Sequence, residues 1–154
     1  MSTTGGILPA SALTVRPAVA ADESTVAELA ARLGAPGEPS ADLFSQAFHD
    51  VLADAPRTLV HVAESDGKVV GYALTTVNTL LYTQGASAQL QEIVVDATVT
   101  ASGVGTALVR AVEAACEEAG VTQLTVASRR AGGFYDRLGY TQQAEYMRRG
   151  FPTS

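Results

Sequence analysis

The sequence predicts an α/β (α+β) fold built on a mixed, mostly antiparallel sheet, and three observations predict it. Two β-branched runs flank the pair Asp66-Gly67, which is typical of an antiparallel hairpin. One long amphipathic helix at 103–119 separates two strand-like segments, and a connection of that kind joins parallel strands. A chain of 154 residues is long enough to form one hydrophobic core. We therefore expect a single domain over 13–154 after a flexible tail at 1–12.

The first part of the chain is predicted to form a strand and two helices. Residues 13–16 are expected to form a short strand. Asp22 is a typical helix N-cap residue, and the apolar spacing after it predicts a helix that ends at Gly34. Ser40 begins a second helix in the same way, and this helix has a broad apolar face and ends before Pro56.

Strands dominate the rest of the chain, and no repeat or linker divides it. The strands are predicted at 58–63, 69–77, 89–95, 121–127 and 143–149. The helices are predicted at 103–119 and 131–138. In this order the strands at 89–95 and 121–127 form the parallel pair, with the long helix as their crossover.

Composition excludes several classes of protein. Ten Lys and Arg against 16 Asp and Glu give a net charge of −6, which argues against nucleic-acid binding. No apolar run approaches the roughly 20 residues that cross a bilayer, and the first residues do not resemble a signal peptide, so we expect a cytoplasmic protein without a membrane partner. Cys116 is the single cysteine, and no cluster of residues has metal-ligand spacing, so no metal is expected.

The segment 90–108 carries the clearest functional signal. It runs from a strand through a small-residue loop into a helix, with Gly103 and Gly105 at the turn. Glycines there let backbone N–H groups converge, and the helix N-terminus adds positive partial charge, which is typical of a phosphate site. The segment is neither a Walker A loop nor a dinucleotide fingerprint, since Leu108 occupies the third glycine position. A tight turn without a ligand is the alternative.

Two motifs give the sequence a resemblance to the GNAT N-acetyltransferase superfamily from about 13 to 149. The family motif Gln/Arg-x-x-Gly-x-Gly/Ala is matched by Thr100-Ala101-Ser102-Gly103-Val104-Gly105, which follows a hydrophobic strand ending in valine. The element Phe-Tyr-x-x-x-Gly-aromatic is matched by 134–140. The motifs stand in the family's order, and the sequence departs from the family at Thr100, where a glutamine or a cation is usual.

The resemblance implies an N-acetyltransferase that moves acetyl from acetyl-CoA directly to a primary amine of a small acceptor. It also implies helices on both faces of the sheet and a parallel strand pair that splays around the co-substrate. Two alternatives stay open: a non-catalytic acyl-CoA-binding or regulatory module, and an acetyltransferase of protein N-termini or lysines. Similar proteins often form dimers, so a homodimer is one expected state.

The resemblance assigns cofactor contacts to three segments. The backbone of Ile93, Val94 and Val95 is expected to pair with the pantetheine arm like an added strand. The pyrophosphate is expected at the loop and first helical turn, and Ser128 stands where relatives carry an asparagine that bonds the cofactor. The loop and turn residues are Thr100, Ala101, Ser102, Gly103, Val104, Gly105 and Thr106.

Glu92 and Tyr135 are the predicted catalytic residues. Strand alternation predicts that Glu92 shares a face with Leu90 and Val94, and apolar neighbours disfavour the ionised carboxylate, which suits a general base. A solvated carboxylate or a substrate-binding charge is the alternative. The resemblance gives Tyr135 the role of donating a proton to the departing CoA thiolate, with Phe134 as the buried ring; a packing aromatic is the alternative.

The expected phosphate loop has no cation of its own, because the sequence has no Lys or Arg between Lys68 and Arg110. Backbone N–H groups, the helix dipole and the hydroxyl of Thr106 are therefore expected to hold the pyrophosphate. The nearest excess of positive charge is at 129–154, where five arginines and two acids give 5 − 2 = +3. This excess is expected to bind cofactor phosphates or a substrate carboxylate, or to form a solvated face.

Overall fold

The structure is a computed structural model that describes residues 13–34, 37–99, 103–128 and 133–152. The expected tail at 1–12 lies outside these residues. The described strands are β1 (Leu13–Pro17), β2 (Thr58–Ser65), β3 (Lys68–Leu80), β4 (Gly85–Val95) and β5 (Leu124–Val126). The described helices are α1 (Glu23–Ala30), α2 (Ala41–Ala53), α3 (Val104–Glu118) and α4 (Phe134–Arg137).

The strands form one sheet in which each strand lies beside its neighbours in the sequence, in the order β1-β2-β3-β4-β5. The first three pairs are antiparallel, and β4 and β5 are parallel with α3 as their connection. The predicted hairpin is confirmed: Asp66 and Gly67 join β2 to β3 and both have positive φ, as a two-residue turn of this kind requires. The mixed, mostly antiparallel fold class is therefore confirmed.

Helices cover both faces of the sheet, each over its own apolar cluster. On one face, Leu108 and Val112 of α3 pack against the strands and are fully buried. On the other face, Leu29 of α1 and Phe48 of α2 pack against Tyr72 and other strand residues. Burial of each helix's apolar side is the main term that holds it in place.

Of the two predicted helix N-caps, Ser40 and Asp22, Ser40 caps its helix and Asp22 does not. Ser40 caps α2 as predicted, because its hydroxyl accepts the backbone N–H of Leu43 at 3.2 Å. Asp22 directly precedes α1, but its carboxylate does not cap the helix. It accepts the Val19 N–H and two bonds from the Arg16 guanidinium, and the bonds from Arg16 above all lower its pKa. Asp22 therefore fixes the connection from β1 to α1.

The predicted last strand at 143–149 is wrong. Residues 141–152, hereafter the C-terminal segment, contain no strand and are exposed throughout. Ala144 and Tyr146 alternate with polar residues as in a strand, but a strand forms only against a partner ladder, and no described strand pairs with this segment. The predicted strand at 121–127 is shorter than expected, as β5, and the predicted helix at 131–138 is α4, with 131–132 outside the described residues.

Candidate functional site

A cleft opens where β4 separates from β5. The two strands pair only where Ala88–Leu90 of β4 meets Leu124–Val126 of β5. Beyond that contact β4 continues for five residues, Gln91–Val95, which we call its free half. At about 3.3 Å per residue the free half presents roughly 17 Å of strand edge. This splayed parallel pair is the geometry that the resemblance implied.

The cleft beside the free half has a volume of about 660 Å³. Five parts of the chain line it: the end of α1 with the turn after it, the first part of α2, β4, β5 with α4, and the C-terminal segment. The lining residues used below are Arg32, Leu33, Gly34, Phe44, Glu92, Tyr135, Tyr146 and Arg148. The predicted catalytic pair, Glu92 and Tyr135, is thus brought to one cleft.

A β-bulge at Gln91 changes the face on which Glu92 lies. Leu74 of β3 pairs with Glu92 and the next residue, Thr75, pairs with Leu90, so Gln91 is an extra residue in β4. Leu90 consequently packs in the α3 cluster, whereas Val94, on the same side as Glu92, packs in the α1–α2 cluster. The prediction that Glu92 shares a face with Leu90 is wrong, and its sharing one with Val94 is right.

Glu92 also has a polar partner that the sequence did not indicate. The hydroxyl of Tyr72 donates to Glu92 Oε1 at 2.7 Å, from the neighbouring strand. Tyr72 is 2% exposed, and burial, followed by the charge of Glu92, raises its pKa, so the phenol keeps its proton at neutral pH. The half-buried carboxylate is therefore oriented by a fixed donor and is not surrounded by apolar groups alone.

Tyr135 lies at the wall of the cleft and also in the core. It belongs to α4, is 8% exposed, and makes edge-to-face contacts with Phe134 at 4.9 Å and Tyr140 at 5.7 Å between ring centroids. The expectation that Phe134 is the buried ring of the pair is wrong, because Phe134 is only half-buried and Tyr135 is the more buried residue. The position of Tyr135 is held by packing on both sides of its ring.

The N-terminus of α3 follows the loop at the end of β4. Thr100, Ala101 and Ser102 lie outside the described residues. Gly103 has φ of +99°, a conformation that favours glycine, and no side chain caps the helix. The first helical bond is from Ala107 N–H to the Gly103 carbonyl, so the N–H groups of the three preceding residues have no acceptor within the helix.

The remaining residues predicted to bind the cofactor differ in burial and in position relative to the cleft. Val104 is buried at 2% exposure and so offers only its backbone, while Thr106 is half-buried. A Cβ on Gly105 would lie 3.4 Å from the ring of Phe134, so the start of α3 lies in close contact with α4 at this point. Ile93, Val94 and Val95 all line the cleft. Ser128 is exposed and lies two residues after β5.

Arg32 is a cleft residue that the sequence reasoning missed. Its guanidinium reaches across from the turn after α1 and donates to the Val95 carbonyl at 3.3 Å and to Asp96 Oδ1 at 3.4 Å. Asp96 also accepts the N–H and hydroxyl of Thr98, and these bonds lower the pKa of Asp96. A cation therefore does stand at the end of β4, contributed from a distant part of the sequence. Arg129 and Arg130, the first two arginines of the positive excess at 129–154, lie outside the described residues.

Three other titratable residues lie apart from this cleft. His49 faces Glu23 at 3.1 Å, and Cys116 is a buried thiol whose pKa is raised by burial. His61 has a buried Nδ1 without a partner among the described residues, and burial lowers its pKa. None of these residues lines the cleft.

The described residues contain neither a metal-binding cluster nor a membrane-spanning helix. No group of three or more His, Cys, Asp or Glu side chains in the described ranges is placed to hold a metal ion. Within the same ranges, no helix has the length and apolar character needed to span a membrane.

Comparison with known protein families identifies one family. The sequence model of the acetyltransferase (GNAT) family matches residues 25–140, about three quarters of the chain. No curated protein is similar enough in sequence to be matched.

Three solved structures illustrate the likeness of fold. Glucosamine-6-phosphate N-acetyltransferase from Arabidopsis thaliana has a TM-score of 0.79 at 19% identity, covering 91% of this chain and 99% of that one. A transcriptional regulator from Bacillus halodurans has a TM-score of 0.79 at 19% identity, covering 90% and 99%. A predicted acetyltransferase from Clostridium acetobutylicum, solved with acetyl-CoA, has a TM-score of 0.73 at 16% identity, covering 90% and 96%.

Proposed function

The chain belongs to the GNAT family of acetyltransferases, and we propose that it transfers acetyl from acetyl-CoA directly to the primary amine of a small acceptor. The observation that carries the proposal is the free half of β4. No described strand pairs with its outer edge, and this edge borders a cleft lined by both Glu92 and Tyr135. A strand edge of this kind binds an extended, amide-containing chain, and the pantetheine arm is such a chain.

The described residues fit two parts of acetyl-CoA, the pantetheine arm and the pyrophosphate. The free half of β4 offers backbone groups to the pantetheine amides, although the Val95 carbonyl already accepts from Arg32. The N–H groups of Val104, Gly105 and Thr106 at the start of α3 suit the pyrophosphate, since an anion there gains from the helix dipole. Bound in this way, the thioester supplies an acetyl carbon that is open to attack by an amine.

Glu92 serves in this proposal as the general base. An acceptor amine is protonated at neutral pH and attacks only after it loses a proton, which Glu92 takes directly or through one water. The Tyr72 hydroxyl fixes one carboxylate oxygen at 2.7 Å and leaves the other oxygen to face the acceptor. The nitrogen then forms a bond to the acetyl carbon, and the bond from that carbon to sulfur breaks.

Tyr135 serves as the donor to the departing sulfur. A phenol, with an ordinary pKa near 10, is a weaker acid than a thiol near 8.5, so its role is that of a positioned hydrogen-bond donor. The edge-to-face contacts with Phe134 and Tyr140 hold the ring in place. The ammonium loses two protons: the first passes to solvent through Glu92, and the second, released when the carbon–nitrogen bond forms, goes to the departing sulfur. The products are therefore the acetylated amine and the CoA thiol.

Thiol release from acetyl-CoA across a panel of amines tests the proposal, with acetyl-CoA binding measured separately by calorimetry. The expected result is binding together with amine-dependent release of one thiol per acetylated amine. Binding without release for small amines and for peptides with free N-termini or lysines would identify a non-catalytic acyl-CoA-binding module. Release with peptides alone would assign the chain to protein acetylation.

A further inference from the structure

Part of the cleft lining comes from segments that the acetyl transfer does not use. The turn after α1 contributes Leu33 and Gly34, α2 contributes Phe44, and the C-terminal segment contributes Tyr146 and Arg148. None of these residues belongs to the strand edge or the helix terminus assigned to acetyl-CoA. They are therefore available to recognise the acceptor.

Two residues of the C-terminal segment, Tyr146 and Arg148, lie at the cleft. Those two residues line the cleft, whereas Met147 and Arg149 do not. Two adjacent exposed arginines thus have different surroundings, one at the cleft and one away from it.

Among the described lining residues, the charged side chains are Glu92, Arg32 and Arg148. Arg32 is bonded to Asp96 and to the Val95 carbonyl. Arg148 has no hydrogen bond or ion pair with any described residue. Once Glu92 receives the amine, Arg148 is the charge on the described lining that lacks a partner. An unpartnered positive charge at the cleft contrasts with the net charge of −6 of the chain as a whole.

We infer that the acceptor carries an anionic group as well as its amine, and that Arg148 binds this group. The inference rests on the proposed acetyl transfer. A guanidinium makes paired hydrogen bonds to a carboxylate or a phosphate, which share the geometry of two oxygens on one centre. A polyamine would instead bring a second cation to Arg148. The acceptor class is therefore amines with a carboxylate or phosphate group.

Matched amine pairs that differ only in the anionic group test this inference. Suitable pairs are phenylalanine with phenethylamine, lysine with cadaverine, and phosphoethanolamine with ethanolamine. A charge-assisted hydrogen bond makes a difference of about 10- to 100-fold in affinity. We expect the anionic member of at least one pair to have the higher kcat/KM by about that factor, and the carboxylate and phosphate pairs distinguish the two anions.

Variants of the two adjacent arginines locate the effect. Arg148→Met should raise KM for the preferred anionic acceptor by about 10- to 100-fold, leaving kcat and the reaction with the matched neutral-tailed amine unchanged. Arg149→Met removes the same charge from the neighbouring residue and should change neither. Equal losses in both variants would reduce the effect to overall charge and overturn the inference.

Two further outcomes separate this inference from the proposed function. Higher kcat/KM for the amines without an anionic group, or weaker acetyl-CoA binding in Arg148→Met with no change in acceptor KM, overturns the assignment of Arg148 and leaves acetyl transfer intact. Failure of every amine to release thiol, with acetyl-CoA bound, overturns the proposed function and this inference with it.

Discussion

The two halves of β4 have the same backbone conformation and different surroundings. Residues Ala88–Leu90, which we call its paired half, lie between β3 and β5, and the side chains of Ala88 and Leu90 are 1% and 2% exposed. The free half, Gln91–Val95, keeps β3 on one edge and has no strand on the other among the described residues. The bulge at Gln91 stands at the boundary between them.

One part of this strand stabilises the sheet, and the other part borders the cleft. The paired half has its hydrogen bonds satisfied on both edges and its side chains in the core, so it holds the sheet together. Among the described residues the free half is paired on one edge only, and the bulge places Glu92 on the face of the sheet that α1 and α2 cover. The strand thus carries the carboxylate proposed as the base beside an edge that no described strand occupies.

The largest expected effect is on catalysis in the free half. Glu92→Gln should lower kcat by about 10² to 10⁴, because a positioned acid–base group contributes that much, and should remove the acidic limb of the pH–rate profile. Glu113→Gln is the matched control, since Glu113 also accepts a tyrosine hydroxyl, from Tyr140 at 2.6 Å, outside the cleft. Full turnover in Glu92→Gln would assign the base to another residue.

The next effect contrasts the two halves in stability. Leu90→Ala should lower the free energy of unfolding by about 2 to 5 kcal/mol, because it leaves a cavity in the α3 cluster. Ile93→Ala, on the same face of the free half, should cost less because Ile93 is only half-buried. Urea unfolding of both variants measures this, and a larger loss for Ile93→Ala would contradict the distinction between the halves.

A smaller effect concerns the hydrogen bond from Tyr72 of β3 to Glu92 in the free half. Tyr72→Phe removes the hydroxyl that donates to Glu92 and keeps the ring, so one oxygen of the carboxylate is no longer held in place. The value of kcat/KM should fall by about fivefold, as expected for the loss of a hydrogen bond worth about 1 kcal/mol.

Tyr140→Phe is the control for Tyr72→Phe, because it removes a tyrosine–glutamate bond of 2.6 Å with Glu113. It should lower stability by a comparable amount and leave kcat/KM unchanged. An unchanged kcat/KM in Tyr72→Phe would mean that Tyr72 serves packing alone.

The smallest effect lies in the paired part of the sheet, at His61 of β2. Burial lowers the pKa of His61 below its unfolded value, so the unfolded chain binds the proton more readily. The free energy of unfolding should therefore fall as pH drops through about 6.5, and His61→Leu should reduce that slope. Denaturant unfolding at about pH 7.5 and 5.5 measures it, and an unchanged slope would place the titration elsewhere.

Local patterns predicted most of the fold. The Asp66-Gly67 turn, the Ser40 cap and the amphipathic spacing of α3 act over a few residues, and each is found where the sequence indicated. The strand at 143–149 failed because alternation alone does not supply a partner ladder.

The site was less predictable because its details depend on register and on distant contacts. One extra residue at Gln91 reverses the face of Leu90 relative to Glu92, and nothing in strand alternation marks a bulge. Tyr72 and Arg32 reach β4 from elements 20 and 64 positions away in sequence, as judged by their bonds to Glu92 and Asp96. Only the three-dimensional structure brings such residues together.

Hydrogen–deuterium exchange with and without CoA tests the central claim, that the open edge of β4 binds the co-substrate as an added strand. Peptides covering the free half, 91–95, should exchange more slowly at saturating CoA, because a bound pantetheine arm covers N–H groups on the open edge. Peptides covering 88–90 should be unchanged, since those residues are already paired with β3 and β5. Unchanged exchange in 91–95 with CoA bound would contradict the account.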